Sequence, residues 1–224
     1  MAKFPYTEEQ MGDAFLKRLT SRSGLPSVGR FTKVFREVDC QRGRPDFVGI
    51  TFAKKRPLLN SQGIGGFAVA AVLSLLKPRS PRRLEYMVSR TGFGRDVIAL
   101  ALRSLLAEGL IQQGEDNTYT LASACSVFDA DVTAFELKLS KPRRAVFQAQ
   151  QYCLFAHRVF IVVPPKELDS FIAYMPAMKR WGIGLAGYDP LANRFMRHLD
   201  SRRRGNPASR EHQAYAMMRI AAGA

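Results

Sequence analysis

Cysteine is scarce in this 224-residue chain, and Cys40, Cys125 and Cys153 are odd in number, far apart and without a C-x-x-C pair. That pattern supports neither a disulfide framework nor a cysteine zinc site, and it predicts a reducing, cytoplasmic setting. Only three histidines occur, His157, His198 and His212, with no H-E-x-x-H or H-N-H arrangement, so histidine metal chemistry has no support. A G-x-S-x-G elbow is absent, which removes one serine-hydrolase reading. Long apolar runs are missing too. The longest, "FAVAAVLSLL" at 67–76, is too short to span a bilayer, and "MAKFPYTEEQ" at the start has no apolar core of a leader, so no membrane partner is expected.

Acidic residues are in deficit. Nineteen Asp and Glu face 34 Lys and Arg, a net charge of +15, which favours a polyanionic partner such as nucleic acid over the plainer alternative of a solvated basic surface. With 46% hydrophobic residues the chain can bury a core as one sizeable domain or two small ones.

Along the chain, "TEEQMGDAFLKRL" offers Thr7 as an N-cap, acids in the first turn and an apolar stripe through Met11, Phe15 and Leu19, predicting a helix over about 7–20. A Gly/Pro/Ser loop follows, then two β-rich runs, 31–40 and 46–52, around the turn-like "QRGR". Three helical patterns and a hairpin then occupy about 65 residues and resemble a winged helix-turn-helix. In that resemblance 80–90 is the second helix, "TGFG" the turn, 95–108 the recognition helix and 112–119 the wing, with Arg90, Arg95 and Arg103 facing DNA. Such tri-helical units also serve as protein-contact or purely structural modules, and this wing carries Glu115 and Asp116.

Beyond residue 126 the pattern is strand, helix, strand, helix, strand, which implies a largely parallel sheet. "GIGLAG" at 182–187 reads as part of the last strand, not as a dinucleotide fingerprint, because no helix opens directly after it. Trp181 reads as a packing residue. The tail from 191 reads as two short helices on either side of "SRRRG", whose Arg202 and Arg203 could contact a phosphate backbone.

In the strand "AFELKLS" the period of two sets Phe135, Leu137 and Leu139 on one face and Ala134, Glu136 and Lys138 on the other. Alone, this is ordinary apolar-in, polar-out alternation. "GRPDFVGITF" adds a second carboxylate, Asp46, directly after Pro45 at a strand start. Together Pro45, Asp46, Glu136 and Lys138 resemble the PD-(D/E)XK nuclease superfamily, which carries Pro-Asp at the start of its second core strand and Glu-X-Lys on its third. The order of elements resembles that superfamily's αβββαβ core. Asp46 and Glu136 lie 90 positions apart, where the family has a short connection; removing a 66-residue insertion at 60–125 leaves 24.

The resemblance implies an α/β fold: a restriction-endonuclease-like αβββαβ core with a mixed sheet, made from 1–59 and 126–224 and interrupted by a winged helix at 60–125. It implies a Mg²⁺-dependent (or Mn²⁺-dependent) DNA endonuclease or DNA-processing protein acting on duplex or branched DNA. Asp46, Glu136 and the Leu137 carbonyl would hold the metal, with Lys138 beside the attacked phosphate. Gln148 and Tyr152, i and i+4, are similar to a Gln-X-X-X-Tyr that several members carry beside the site; the alternative is a core tyrosine with Gln148 at its flank. Glu8 either complements the helix dipole or, as in some relatives, adds a metal-site carboxylate. Duplex cleavage with one site per chain would favour a homodimer. The competing expectation is a non-catalytic DNA-binding regulator or recruitment protein built on a nuclease-like scaffold.

Overall fold

The structure, a computed structural model, describes residues 4–26, 28–52, 66–123, 125 and 127–222. The boundaries expected at 59/60 and at 126 lie outside the described residues. In chain order the elements are α1 (Glu8–Leu19), β1 (Lys33–Arg36), β2 (Phe47–Phe52), α2 (Phe67–Leu75), β3 (Arg82–Arg83), α3 (Leu84–Thr91), α4 (Arg95–Ala107), β4 (Ile111–Gln113) and β5 (Thr118–Leu121). They continue with β6 (Ala130–Leu137), α5 (Pro142–Tyr152), β7 (Arg158–Val163), a 3-10 segment (Pro165–Tyr174), α6 (Met175–Trp181), β8 (Ile183–Asp189), β9 (Arg194–Leu199) and α7 (Arg210–Ala221). No described helix is long and apolar enough to cross a membrane.

The fold is α/β with a mixed sheet. Six strands run in the order β1-β2-β6-β7-β8-β9. The first three are antiparallel, β6, β7 and β8 are mutually parallel, and β9 returns antiparallel to β8. The parallel steps require crossovers, which α5 and the 165–181 segment supply.

Both faces of the sheet are covered. On one, α1 inserts Met11, Phe15 and Leu19 against Phe47, Phe135, Leu137 and Tyr188. Phe15 sits at the centre, edge-on to Phe47, Phe135 and Tyr188 with ring centroids 5.9, 5.5 and 5.1 Å away. The helix starts where it does because Thr7 caps it: its hydroxyl accepts the Gln10 N–H while the Gln10 side chain accepts the Thr7 N–H, a reciprocal box. On the other face α5 lays Ala145, Val146, Ala149 and Tyr152 over Ile50, Val132, Ala134 and Ile161.

The middle segment forms three helices and a three-stranded sheet, β3-β5-β4. Its helix α2 is apolar nearly all round, and such a helix must be buried on every side. It packs against α4 and also against α7, so the core of this unit is continuous with the α5 side of the main sheet.

Three local expectations are corrected. The second helix of the middle unit starts at Leu84, not Ser80, because Arg82 and Arg83 pair with Tyr119 and Thr118 as a strand. Residues 165–174 form a 3-10 segment. Pro176 opens α6 instead of interrupting a longer helix, since the first turn has no use for the N–H that proline lacks. The tail's first expected helix is strand β9. Asp189 accepts N–H groups from Leu191 and Ala192, and Asn193 takes φ 47°, which folds the chain into a tight turn that returns it along β8.

Candidate functional site

The register of β2 with β6 decides the site. Phe47 pairs with Phe135, so the next step outward sets Asp46 against Glu136 at one end of the strand pair. Asp46 is anchored there: its Oδ2 accepts the Leu137 N–H at 2.6 Å. The loop before it is held by the Glu37 N–H donating to the Asp46 carbonyl (3.1 Å) and by Arg44 Nε donating to the Glu37 carbonyl (2.8 Å). Gly43 lies so close to Tyr152 that a Cβ would meet the ring at 2.7 Å, which seats this loop on α5.

Glu136 is not on a solvated strand face. It is 1% exposed, because α5 covers the face that alternation alone would have given to water. Its Oε2 accepts the Tyr152 hydroxyl at 2.5 Å, and its Oε1 lies 2.9 Å from Lys138 Nζ. The Lys138 contact is an ion pair off the direction of a hydrogen bond, leaving Oε1 buried without an aligned donor.

Lys138 is the hub. Its Nζ lies 2.9 Å from Glu136 Oε1, 3.1 Å from Glu8 Oε1 and 4.0 Å from Asp46 Oδ2. Glu8, in the first turn of α1, also accepts the Leu139 N–H through Oε2 at 3.3 Å, so it ties the helix to the strand end as well as facing the helix N-terminus. Three carboxylates from three separate elements thus meet one ammonium whose side chain is 14% exposed.

The electrostatics follow from burial. Asp46 is pushed up to about 7, first by burial and then by the neighbouring Glu136, against the opposing pull of Lys138 and the Leu137 N–H. Glu136 is also raised, by burial that outweighs Lys138 and the Tyr152 hydroxyl. Burial by itself would lower Lys138, but the carboxylates of Glu136 and Asp46 hold it above its ordinary value. The Tyr152 hydroxyl is raised, first by burial and then by Glu136, so it stays a proton donor.

A cleft of ≈ 720 Å³ opens over Asp46 and Leu137, lined by Arg36, Arg44 and Arg219 and by the acids Glu8, Glu9, Glu37 and Asp39. Sequence reasoning missed these arginines. Arg44 stands beside Pro45-Asp46, but Arg36 and Arg219 reach the cleft from β1 and α7, which no local pattern connects to it. Arg36 is paired with Asp13 at 2.7 Å.

Gln148 lies one turn before Tyr152, and its Oε1 is buried without a hydrogen-bond partner among the described residues. Arg90, Arg95 and Arg103 are exposed on α3 and α4, far in sequence from the carboxylates; Arg95 is paired with Glu85 at 2.9 Å, and Val97 and Leu100 are exposed on α4 between Arg95 and Arg103. In the basic run, Arg203 is bound to Asp131 at 2.6 Å and Arg204 donates to Cys153 Sγ and the Trp181 carbonyl, while Arg202 is exposed. His157 Nδ1 accepts the Val132 N–H, which fixes it as a neutral structural histidine although Asp131 stands 3.7 Å away.

Among the described residues no group of three or more His, Cys, Asp and Glu is arranged to hold a metal ion. The donor chemistry is that of a hard cation's ligands: the Asp46 and Glu136 carboxylates are oxygen donors of the kind Mg²⁺ takes, and Glu136 Oε1 has no aligned hydrogen-bond donor of its own. No family model, curated protein or solved structure matches the chain.

Proposed function

We propose that this protein is a metal-dependent DNA endonuclease of PD-(D/E)XK type, with the middle unit acting as a winged helix that docks DNA. The observation that carries this reading is the convergence of Asp46, Glu136 and Glu8 on Lys138, with Asp46 and Glu8 of that cluster also lining a cleft. Burying two carboxylates side by side costs several kcal/mol, roughly, unless a cation is held there, and a purely structural strand end needs no such arrangement. Element order supports the same reading: α1, the antiparallel β1-β2-β6 set, α5, then β7 parallel to β6.

In this reading Asp46, Glu136 and the Leu137 carbonyl would hold Mg²⁺ or Mn²⁺, which would supply activation of water and neutralisation of charge at the phosphodiester. Asp46 is held in place by the Leu137 N–H and Glu136 by the Tyr152 hydroxyl. Lys138, whose ammonium stands beside these carboxylates, would stabilise charge that develops on the phosphate oxygens. Arg219 on the rim would attract the flanking backbone, while Arg44 is paired with Glu37 at 3.6 Å.

The test is incubation of the protein with linear, supercoiled, branched and single-stranded DNA in Mg²⁺, Mn²⁺ or EDTA. Metal-dependent cleavage lost in Asp46→Ala and Lys138→Ala is expected. One observation favours a second reading, a non-catalytic DNA-binding regulator: Lys138 pairs with Glu136 and Glu8 at 2.9 and 3.1 Å, contacts a structural ion-pair network also makes. DNA binding with no cleavage in any metal would select it.

A further inference from the structure

Outside the carboxylate cleft, one surface combines concavity, a single sign of charge and exposed aromatic area. A groove of ≈ 490 Å³ is lined by Lys141, Pro142, Arg143, Arg144, Phe147 and Tyr174, with no acidic side chain among them. Phe147 is 62% exposed, an unusual place for a full aromatic ring on a helix whose other face is packed with Ala145, Val146 and Ala149. Arg143 and Arg144 stand four and three positions before it, so all three side chains share one face of α5. Tyr174, at the end of the 3-10 segment, supplies the opposite wall. The three cations are exposed, and among the described residues no carboxylate pairs with them.

Cations interleaved with an open ring suit a ligand that carries phosphates and flat faces in alternation. A duplex offers the phosphates but keeps its base faces stacked; only an unpaired strand offers both. The groove also lies close to the carboxylates in the chain, since α5 begins at Pro142, four positions after Lys138.

We propose that this groove binds single-stranded nucleic acid, with one unpaired base stacked on Phe147 and the adjoining phosphates held by Lys141, Arg143 and Arg144. The groove itself stands on its own geometry; that the bound strand is a flap or frayed end delivered to the cleft rests on the nuclease reading above. The carboxylate site would then act beside a junction between paired and unpaired strands.

The test uses the full chain in EDTA with a short oligothymidylate carrying a single 2-aminopurine. Binding should quench the probe through stacking. Phe147→Ala should weaken binding about tenfold and remove the quench, and Phe147→Trp should keep both. A double variant, Arg143→Gln with Arg144→Gln, should lower the slope of log affinity against log salt by about 1.4, the single-strand value for two lost phosphate contacts. Thermal melting should be unchanged in all of them, because the replaced groups are exposed. Unchanged affinity and quench in Phe147→Ala overturn the proposal. So does polyglutamate competing as well as the oligonucleotide, which would mark the groove as a surface for acidic protein. Cleavage in Mg²⁺ is scored separately: quench without cutting keeps the groove and removes the nuclease reading, and cutting with an unaltered Phe147→Ala does the reverse.

Discussion

The Tyr152 hydroxyl donates to Glu136 at 2.5 Å across the contact between α5 and β6, and the ring beyond that hydroxyl closes against Gly43. One buried side chain therefore orients a carboxylate and seats the loop that delivers the other, Asp46. The helix is part of the site's frame.

Tyr152→Phe tests that frame. It leaves the ring and its packing but strips the donor from a buried carboxylate oxygen, at a cost of about 1–3 kcal/mol in urea unfolding. Because the hydroxyl holds the Glu136 pKa down, its loss raises that pKa further, and the acid limb of any metal-dependent cleavage moves to higher pH. A profile that does not move would mean that Tyr152 only fills space.

Lys138→Met removes the one ammonium among three carboxylates. Unfolding free energy should fall by roughly 3 kcal/mol, less than for a fully buried pair because Glu8 is half exposed. Millimolar Mg²⁺ should raise the melting temperature of this variant more than that of the parent, since the vacated charge site is then open to the cation. Equal responses to Mg²⁺ would count against a metal site at these carboxylates.

Asp46 gives a pH signature. Its folded pKa is about 7 against an ordinary 3.8, so between about pH 4 and pH 7 the folded state keeps a proton that the unfolded state has lost. Stability from this group is therefore greatest below pH 4 and declines as pH rises to 7, by on the order of 2 kcal/mol once its residual exposure is discounted. Asp46→Asn, which cannot lose that proton, should gain stability relative to the parent across the same window in melts at stepped pH. Metal affinity should rise over that window in the parent, because the carboxylate must ionise to act as a ligand.

Phe15→Ala reports on the fold that carries the site. Phe15 is fully buried and meets Phe47, Phe135 and Tyr188 edge-on, so its loss should cost about 3–5 kcal/mol in denaturant unfolding.

Local chemistry in the sequence was enough for the elements whose signals are local. Thr7 and the first-turn acids mark the start of α1, the stripe Met11, Phe15 and Leu19 marks its buried face, and Pro142 marks the start of α5. The strand β9 escaped because Phe195 and Leu199 lie four apart, a spacing that fits a helix face as well as a strand face, and the Asp189–Asn193 turn that decides between them acts through hydrogen bonds. For the site, it was the resemblance to the PD-(D/E)XK motif that pointed to Asp46, Glu136 and Lys138, and it said nothing of their environment. Whether Glu136 meets water or protein depends on what lies over β6, and the covering helix α5 is a tertiary partner. The same holds for Arg219, carried to the cleft by α7, and for Glu8, brought to Lys138 across 130 positions. Alternation, capping and turn chemistry are properties of neighbours along the chain, and the sequence by itself determined them. Burial, the meeting of three carboxylates on one ammonium and the raised pKa of Asp46 depend on which surfaces exclude water together, and only the tertiary structure decided that.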